Sequence, residues 1–326
     1  MRVFGGAAAV LAAVLACGPA RANDSSAAIG AGGLELVQDH DITMVSEDLR
    51  IAADRIDVHY RFLNQGMADA DRVVAFPLPP LDFAELENTG WDIPNRQSTN
   101  FVDFQVSVDG KPVTPSLEAR AFVGQRDVSD LLRPLGLLEP SKLLLWAEDD
   151  PFAKATPAAM DELEKQGLIT RDPPEPDGTR YTHPKWTLKV SYYWHQTFPA
   201  GKPVEVDHHY RPVTGSFMLY PEVIREAAMV QRFCIDSGVR KAIAQRFDLE
   251  NEEAGVFVVD YILTTGANWA GPIGRFHLTV DKGAPDNVVA FCADGVKKTG
   301  PTTFEVEKKD FVPTRDLSIM IVQKGD

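Results

Sequence analysis

The sequence predicts a mainly β protein of antiparallel, sandwich-like domains with one helical insertion and a helix pair near the C-terminus. Three observations carry this. Apolar and polar residues alternate over many short segments, as in Ile56, Val58, Tyr60 and Phe62 against Asp57, His59 and Arg61, which is the period of a strand with one buried face. Turn signals such as Asn64-Gln65-Gly66 and Asp109-Gly110 separate these segments. The regular strand-helix alternation of a parallel sheet is missing. With 326 residues, 44% of them hydrophobic and 25% charged, the chain can bury a substantial core, and general disorder is excluded.

The first 22 residues read as a secretory signal peptide. Met1-Arg2 supplies the positive start, Val3 to Cys17 the apolar run, and Ala20-Arg21-Ala22 a small-x-small cleavage site before Asn23. Val14 to Cys17 also loosely resembles a lipoprotein box, in which Cys17 would become a lipidated terminus, although Leu15 fits that box poorly. No later stretch approaches the roughly 18 apolar residues of a transmembrane span.

From 23 to 216 the predicted unit is a β-sandwich-like domain. Its strands are Leu34 to Val37, Ile42 to Ile51, Ile56 to Phe62, Arg72 to Phe76, and a hairpin of Phe101 to Val108 with Val113 to Phe122. Residues 124–181 form a helical insertion, in which Thr156-Pro157 caps a helix from Ala158 to Gln166 and Gly167 stops it. Trp186, Leu188, Val190, Tyr192 and Trp194 then share one strand face with Val204, Val206, His208 and Tyr210 beyond a Pro199-Ala200-Gly201 turn. Read as a paired hairpin, this sets Trp194 opposite Val206 and Tyr192 opposite His208. The second predicted unit, 217–326, is α+β. A helix begins over Pro221 to Met229, Asp236 or Ser237 caps another ending near Phe247, and strands follow from Val256 to Val322.

Several segments resemble, in order, the domain-of-unknown-function family 4424 of exported Gram-negative proteins. They are Ala22-Asn23-Asp24-Ser25-Ser26, Gly32-Gly33-Leu34, Ile42-Thr43-Met44, Glu47-Asp48-Leu49, Tyr60 to Asn64 and Phe76-Pro77-Leu78-Pro79. Phe198 to Gly201, His209-Tyr210, Cys234-Ile235-Asp236 and Asn268 to Ile273 continue it. The resemblance implies export and a shared fold, and brings no catalytic residues with it. The Tyr60 to Pro79 passage with Val108 to Lys111 is more loosely similar to VIT domains, which supports a sandwich.

Lys and Arg total 33 against 47 Asp and Glu, a net charge of −14, which disfavours nucleic acid and anionic lipid as partners. In a chain sent to an oxidising compartment, Cys234 and Cys292 are expected to pair, closing a loop of about 60 residues for roughly 4 kcal/mol. Two buried free thiols are the alternative. The paired-hairpin register places Glu205, Asp207 and His209 on one face with His195 across from Glu205, a possible divalent-metal set; its plainer reading is the wet side of a two-faced sheet. His208, on the aromatic face, reads as a hydrogen-bonded core histidine rather than a base. Trp91, in a long loop from Glu87 to Asp92, is a ligand-recognition candidate, or else a tryptophan folded back on the sandwich edge. The acidic runs 148–150 and 248–253 lack a calcium-loop pattern. Phosphate-loop, nucleophile-elbow and zinc-protease motifs are absent. The expectation is a periplasmic, non-enzymatic binding or envelope-associated protein that needs no cofactor, its partner an envelope protein or small ligand. The alternative is a metal-dependent hydrolase built on the 186–211 hairpin.

Overall fold

The computed structural model describes residues 23–30, 33–84, 90–139, 151–153, 155–176, 178, 180–249 and 254–324. The predicted leader with Cys17, the acidic run 148–150 and most of 248–253 lie outside the described residues. Among those described, the fold is mainly β with few helices, as expected. A seven-stranded sheet runs Arg126–Asp127, Ser116–Val123, Thr187–Phe198, Ala70–Pro77, Ser25–Gly30, Gly33–Leu36, with Leu81–Asp82 paired to the start of Thr187–Phe198. An eight-stranded sheet runs Lys297–Lys298, Thr303–Phe311, Ile273–Asp281, Ile42–Ile51, Ile56–Asn64, Pro203–Tyr210, Gln105–Val108, Lys111–Val113. The two face each other across an aromatic core. Phe76 from the first stacks on Phe104 at 5.1 Å, and Trp194 meets His208 of the second edge to face at 5.4 Å.

A five-stranded sheet, Val288–Ala290, Leu317–Lys324, Ala254–Tyr261, Thr214–Met218, Gly90–Asp92, closes one side of this core. Its far face carries the helix pair, α3 (Ala227–Phe233) and α4 (Ser237–Arg246), which follow α1 (Ser129–Leu132) and α2 (Pro157–Lys165) in the insertion. Asp236 caps α4 by accepting from the Val239 amide at 2.8 Å, and Thr156 caps α2 by accepting from Ala159 at 3.2 Å. Phe233, Ile243 and Phe247 pack with Val256, Met320 and Val322 in a satellite core. Cys234, in the left-handed conformation at φ 51° that ends α3, is disulfide-bonded to Cys292 with Cα atoms 5.1 Å apart. The bond ties α3 to the end of Val288–Ala290, the connection expected from sequence.

Three expectations change. The strands Thr187–Phe198 and Pro203–Tyr210 do not pair with each other: the first bonds to Ala70–Pro77 and Ser116–Val123, the second to Ile56–Asn64 and Gln105–Val108. The turn itself is as read, with Gly201 at φ 66° and Lys202 donating to the Pro199 carbonyl at 3.2 Å. Asn64 holds this corner open by donating to the Phe198 carbonyl at 2.8 Å, and its own carbonyl accepts from Gly201 at 3.0 Å. Secondly, the Asp109-Gly110 hairpin returns only as far as Val113, because Pro115 supplies no amide to extend the ladder, and Ser116–Val123 crosses to the opposite sheet. Thirdly, a boundary at 216 and 217 divides no sheet from another. Thr214–Met218 spans it, Ile273–Asp281 pairs in parallel with Ile42–Ile51, and Gly90–Asp92 joins the five-stranded sheet.

Candidate functional site

A cleft opens where the five-stranded sheet meets the Leu78 to Leu81 loop of the seven-stranded one. The prolines Pro77, Pro79 and Pro80 give that loop an extended course, and Leu78 is pinned by its amide donating to the Val190 carbonyl at 2.8 Å. The opposite wall comes from Val213, Gly215 and Phe217, with Val258 beside them, and Trp91 is held next to Gly215 by strand pairing. Phe101, Val102 and Tyr210 form the floor. About 140 Å³ is reachable by the centre of a water molecule. One water centre needs roughly 10–15 Å³, so the space accommodates a small organic molecule.

Most of the lining side chains are apolar, but the exposed lining also carries substantial polar surface. Arg232 of α3 donates to Asp260 at 2.9 Å, and Ser318 donates to the other oxygen of the same carboxylate at 2.5 Å. Asp82 is the remaining ionisable carboxylate of the lining, and the Tyr210 hydroxyl is buried with no hydrogen-bond partner. Burial alone raises the Tyr210 phenol far above its usual range, so it stays protonated and can donate. The arrangement suits a small molecule that has both apolar and polar surface.

Deeper in the core lies a second polar constellation. Asn23 and Asp24 are fully buried at the head of Ser25–Gly30. Asn23 donates from Nδ2 to Glu47 at 2.9 Å, accepts from Tyr60 on Oδ1, and its carbonyl accepts from Thr265 at 2.5 Å. Trp269 donates its indole N–H to the Asp24 carbonyl at 2.6 Å, and Tyr60 and Tyr261 hydroxyls lie 3.1 Å apart. Neither carboxylate oxygen of Asp24 has a hydrogen-bond partner, nor has Oε1 of Glu47. Burial pushes the Glu47 carboxyl up to about 8, and burial followed by the nearby Glu47 charge raises Asp24 strongly. Glu47 was missed from sequence, although it shares strand parity with Leu49 and Ile51, which was the available signal.

The residues singled out from sequence fall in separate places. Glu205, Asp207 and His209 share the outer face of the eight-stranded sheet, but His195 is exposed on the outer face of the seven-stranded sheet, opposite Val73. The fourfold metal set is therefore divided by the thickness of the sandwich, and the reason is the open corner at Phe198 to Pro203. The neighbour that Glu205 and Asp207 do have is His59, with Nε2 3.1 Å from Glu205 and Nδ1 2.8 Å from Asp207, while His209 contacts Gln105 at 2.8 Å. No group of three or more His, Cys, Asp or Glu arranged to hold a metal occurs among the described residues. His208 is buried as expected, yet it is caged by rings rather than hydrogen-bonded. Tyr60, Phe76, Phe104 and Trp194 surround it at 5.0–5.4 Å, and Nε2 stands 3.5 Å from Asp24. Trp91 lies in the strand Gly90–Asp92, half-buried against Phe83 at 5.6 Å, rather than at the tip of an exposed loop; Glu87, Asn88 and Thr89 lie outside the described residues.

Comparison with known proteins adds a family and a distant structural likeness. No curated protein matches the chain. Among solved structures it is similar to a candidate nutrient binding protein from Legionella pneumophila at 17% identity and a TM-score of 0.45, over 92% of this chain and 70% of that one. The model of the domain of unknown function DUF4424 matches residues 22–320, and the chain belongs to that family.

Proposed function

We propose that this is an exported, periplasmic binding protein whose ligand is a small molecule with both apolar and polar groups, held in the cleft between Trp91, Phe217, Tyr210 and the Arg232–Asp260 pair. The cleft carries the reading. Its lining offers aromatic and aliphatic surface with a few convergent polar groups, the composition of a small-molecule pocket. The signal-like 1–22 segment and the Cys234–Cys292 disulfide support export, and no helix among the described residues is long and apolar enough to cross a membrane.

The test is mass spectrometry of small molecules released on denaturing protein purified from the periplasm. One compound class is expected from the wild type and should be lost from Val213→Trp, whose indole fills the cleft, with the melting temperature retained. Protein that releases nothing, or a compound retained equally by Val213→Trp, would overturn the assignment.

A further inference from the structure

We infer that the interior holds a binding site for the chain's own α-ammonium: cleavage between Ala22 and Asn23 creates a positive charge on Asn23 that Glu47 and Asp24 receive inside the core. The inference rests on the export reading above, since it needs that cleavage. Hydrolysis breaks the Ala22–Asn23 amide C–N bond, with water giving its hydroxyl to the Ala22 carbonyl carbon and a proton to the leaving nitrogen. At neutral pH the new amine takes up a further proton and becomes an ammonium.

Three observations converge. Two carboxyl groups, 0% and 1% exposed, share one interior region, and among the described residues no Lys or Arg is hydrogen-bonded or ion-paired to either. Buried carboxylates are normally paired or protonated, because desolvation disfavours the charged form. Secondly, Asn23 is itself fully buried and fixed at three atoms by Glu47, Tyr60 and Thr265. Since Nδ2 of Asn23 lies 2.9 Å from Glu47, the backbone nitrogen of the same residue is within about 8 Å of that carboxylate by covalent geometry alone. Thirdly, the cradle is shaped for this residue: a Cβ on Gly266 would come within 2.9 Å of the Asn23 amide, so only glycine leaves the side chain its place. His208 does not supply the missing charge, because its enclosure by aromatic rings keeps the imidazole neutral. An ammonium has three donors, which can serve the unpartnered oxygens of Asp24 and add to the Asn23 and Tyr261 donors at Glu47. Processing thereby becomes part of folding, and an uncleaved precursor lacks the counter-charge of its own core.

The test compares the periplasmic protein with a chain carrying one extra glycine before Asn23, each with and without Glu47→Gln. Intact mass fixes the native N-terminus, and an acylating reagent followed by peptide mass spectrometry measures access to the α-amine. The native chain is expected to begin at Asn23, with the α-amine acylated at least ~100-fold more slowly folded than unfolded. The added glycine should lower the melting temperature by about 5–10 °C. Glu47→Gln should do the same to the mature chain and little more to the extended one. A native terminus elsewhere overturns the cleavage reading and this inference with it. A terminus at Asn23 whose amine is acylated freely in the folded protein overturns the inference alone, as does an extended chain that melts with the mature one. Should the extended chain fail to fold, amine access in the mature protein still decides.

Discussion

The eight-stranded and five-stranded sheets meet one requirement, an apolar face hidden from water, with different covers. In the five-stranded sheet both faces are buried: Val259, Tyr261, Ile319 and Ile321 join the main core, while Val256, Val258, Met320 and Val322 lie under the helix pair. The eight-stranded sheet has core on one side and solvent on the other, so Tyr60 and Val206 are buried and His59, Arg61 and Asp207 are not. The sequence signature follows. Runs such as Val256 to Val259 and Ile319 to Val322 are continuously apolar, whereas Ile56 to Phe62 alternates. A two-sided sheet depends on its cover staying in place; a one-sided sheet depends only on the core beneath it.

The largest effect is expected where the cover is fastened. α3 and α4 carry Arg225, Arg232, Arg240 and Lys241 on or beside them and bury few large side chains, Phe233 and Ile243 chief among them. Cys234→Ser with Cys292→Ser should lower unfolding stability by roughly 2–4 kcal/mol. Hydrogen exchange should rise first in α3, α4 and Val288–Ala290, before the eight-stranded sheet responds. Uniform loosening of both sheets would show that the cover is not a separate cooperative layer.

A slightly smaller effect concerns the core that the two large sheets share. Burial, and secondarily the neighbouring His209, pushes the His208 imidazole from 6.5 down to about 3. The unfolded chain takes up a proton below about 6.5 and the folded chain does not, so this group's contribution to stability is intact above that pH and is lost as pH falls toward 3. Between pH 6.5 and about 4.5 the loss amounts to roughly 2–3 kcal/mol, and His208→Phe should abolish it. Where the α-ammonium does not neutralise them, Asp24 and Glu47 work in the opposite direction, since their raised carboxyls favour the folded state as pH falls. The quantity to measure is therefore the difference between the wild-type and variant stability curves. Parallel curves would mean that His208 is protonated in the fold and paired with Asp24.

How much of this was legible depends on whether the governing interactions are local. The caps at Thr156 and Asp236, the left-handed Gly201 and the inward sets on Trp186 to Trp194 and Val204 to Tyr210 all follow from neighbours within a few residues, and all were readable. The partner of each strand was not. Two amphipathic strands joined by a turn present the same inward residues whether they pair in one sheet or face each other across a sandwich, so alternation alone could not place His195. What decides is Asn64, 134 positions from Phe198, holding the corner open. The cleft was hidden for the same reason, because Trp91 reaches it only by pairing with Gly215. The Asn23–Glu47 cluster was half-legible: strand parity puts Glu47 inward, but nothing local announces the chain's own start as its neighbour.

The smallest effect is expected on the bare face of the eight-stranded sheet, where charge is densest. Glu307, His277, Asp48, His59 and Asp207 stand side by side on five adjacent strands, an alternating row of acids and imidazoles. His59 sits between Glu205 and Asp207, with the three side chains 48%, 36% and 48% exposed. Water competes for each partner at such exposure, and holding three side chains in one arrangement costs rotamer freedom. His59→Gln should therefore change stability by less than about 1 kcal/mol. Most of any loss should vanish in about 1 M salt, where the Debye length is ~3 Å. Reversible denaturation of wild type and variant at two salt concentrations measures both quantities. A salt-insensitive loss above about 2 kcal/mol would not fit a screened surface pair. It would mean that this row is organised around something more tightly held than solvent, and that the face without a protein cover is covered in use.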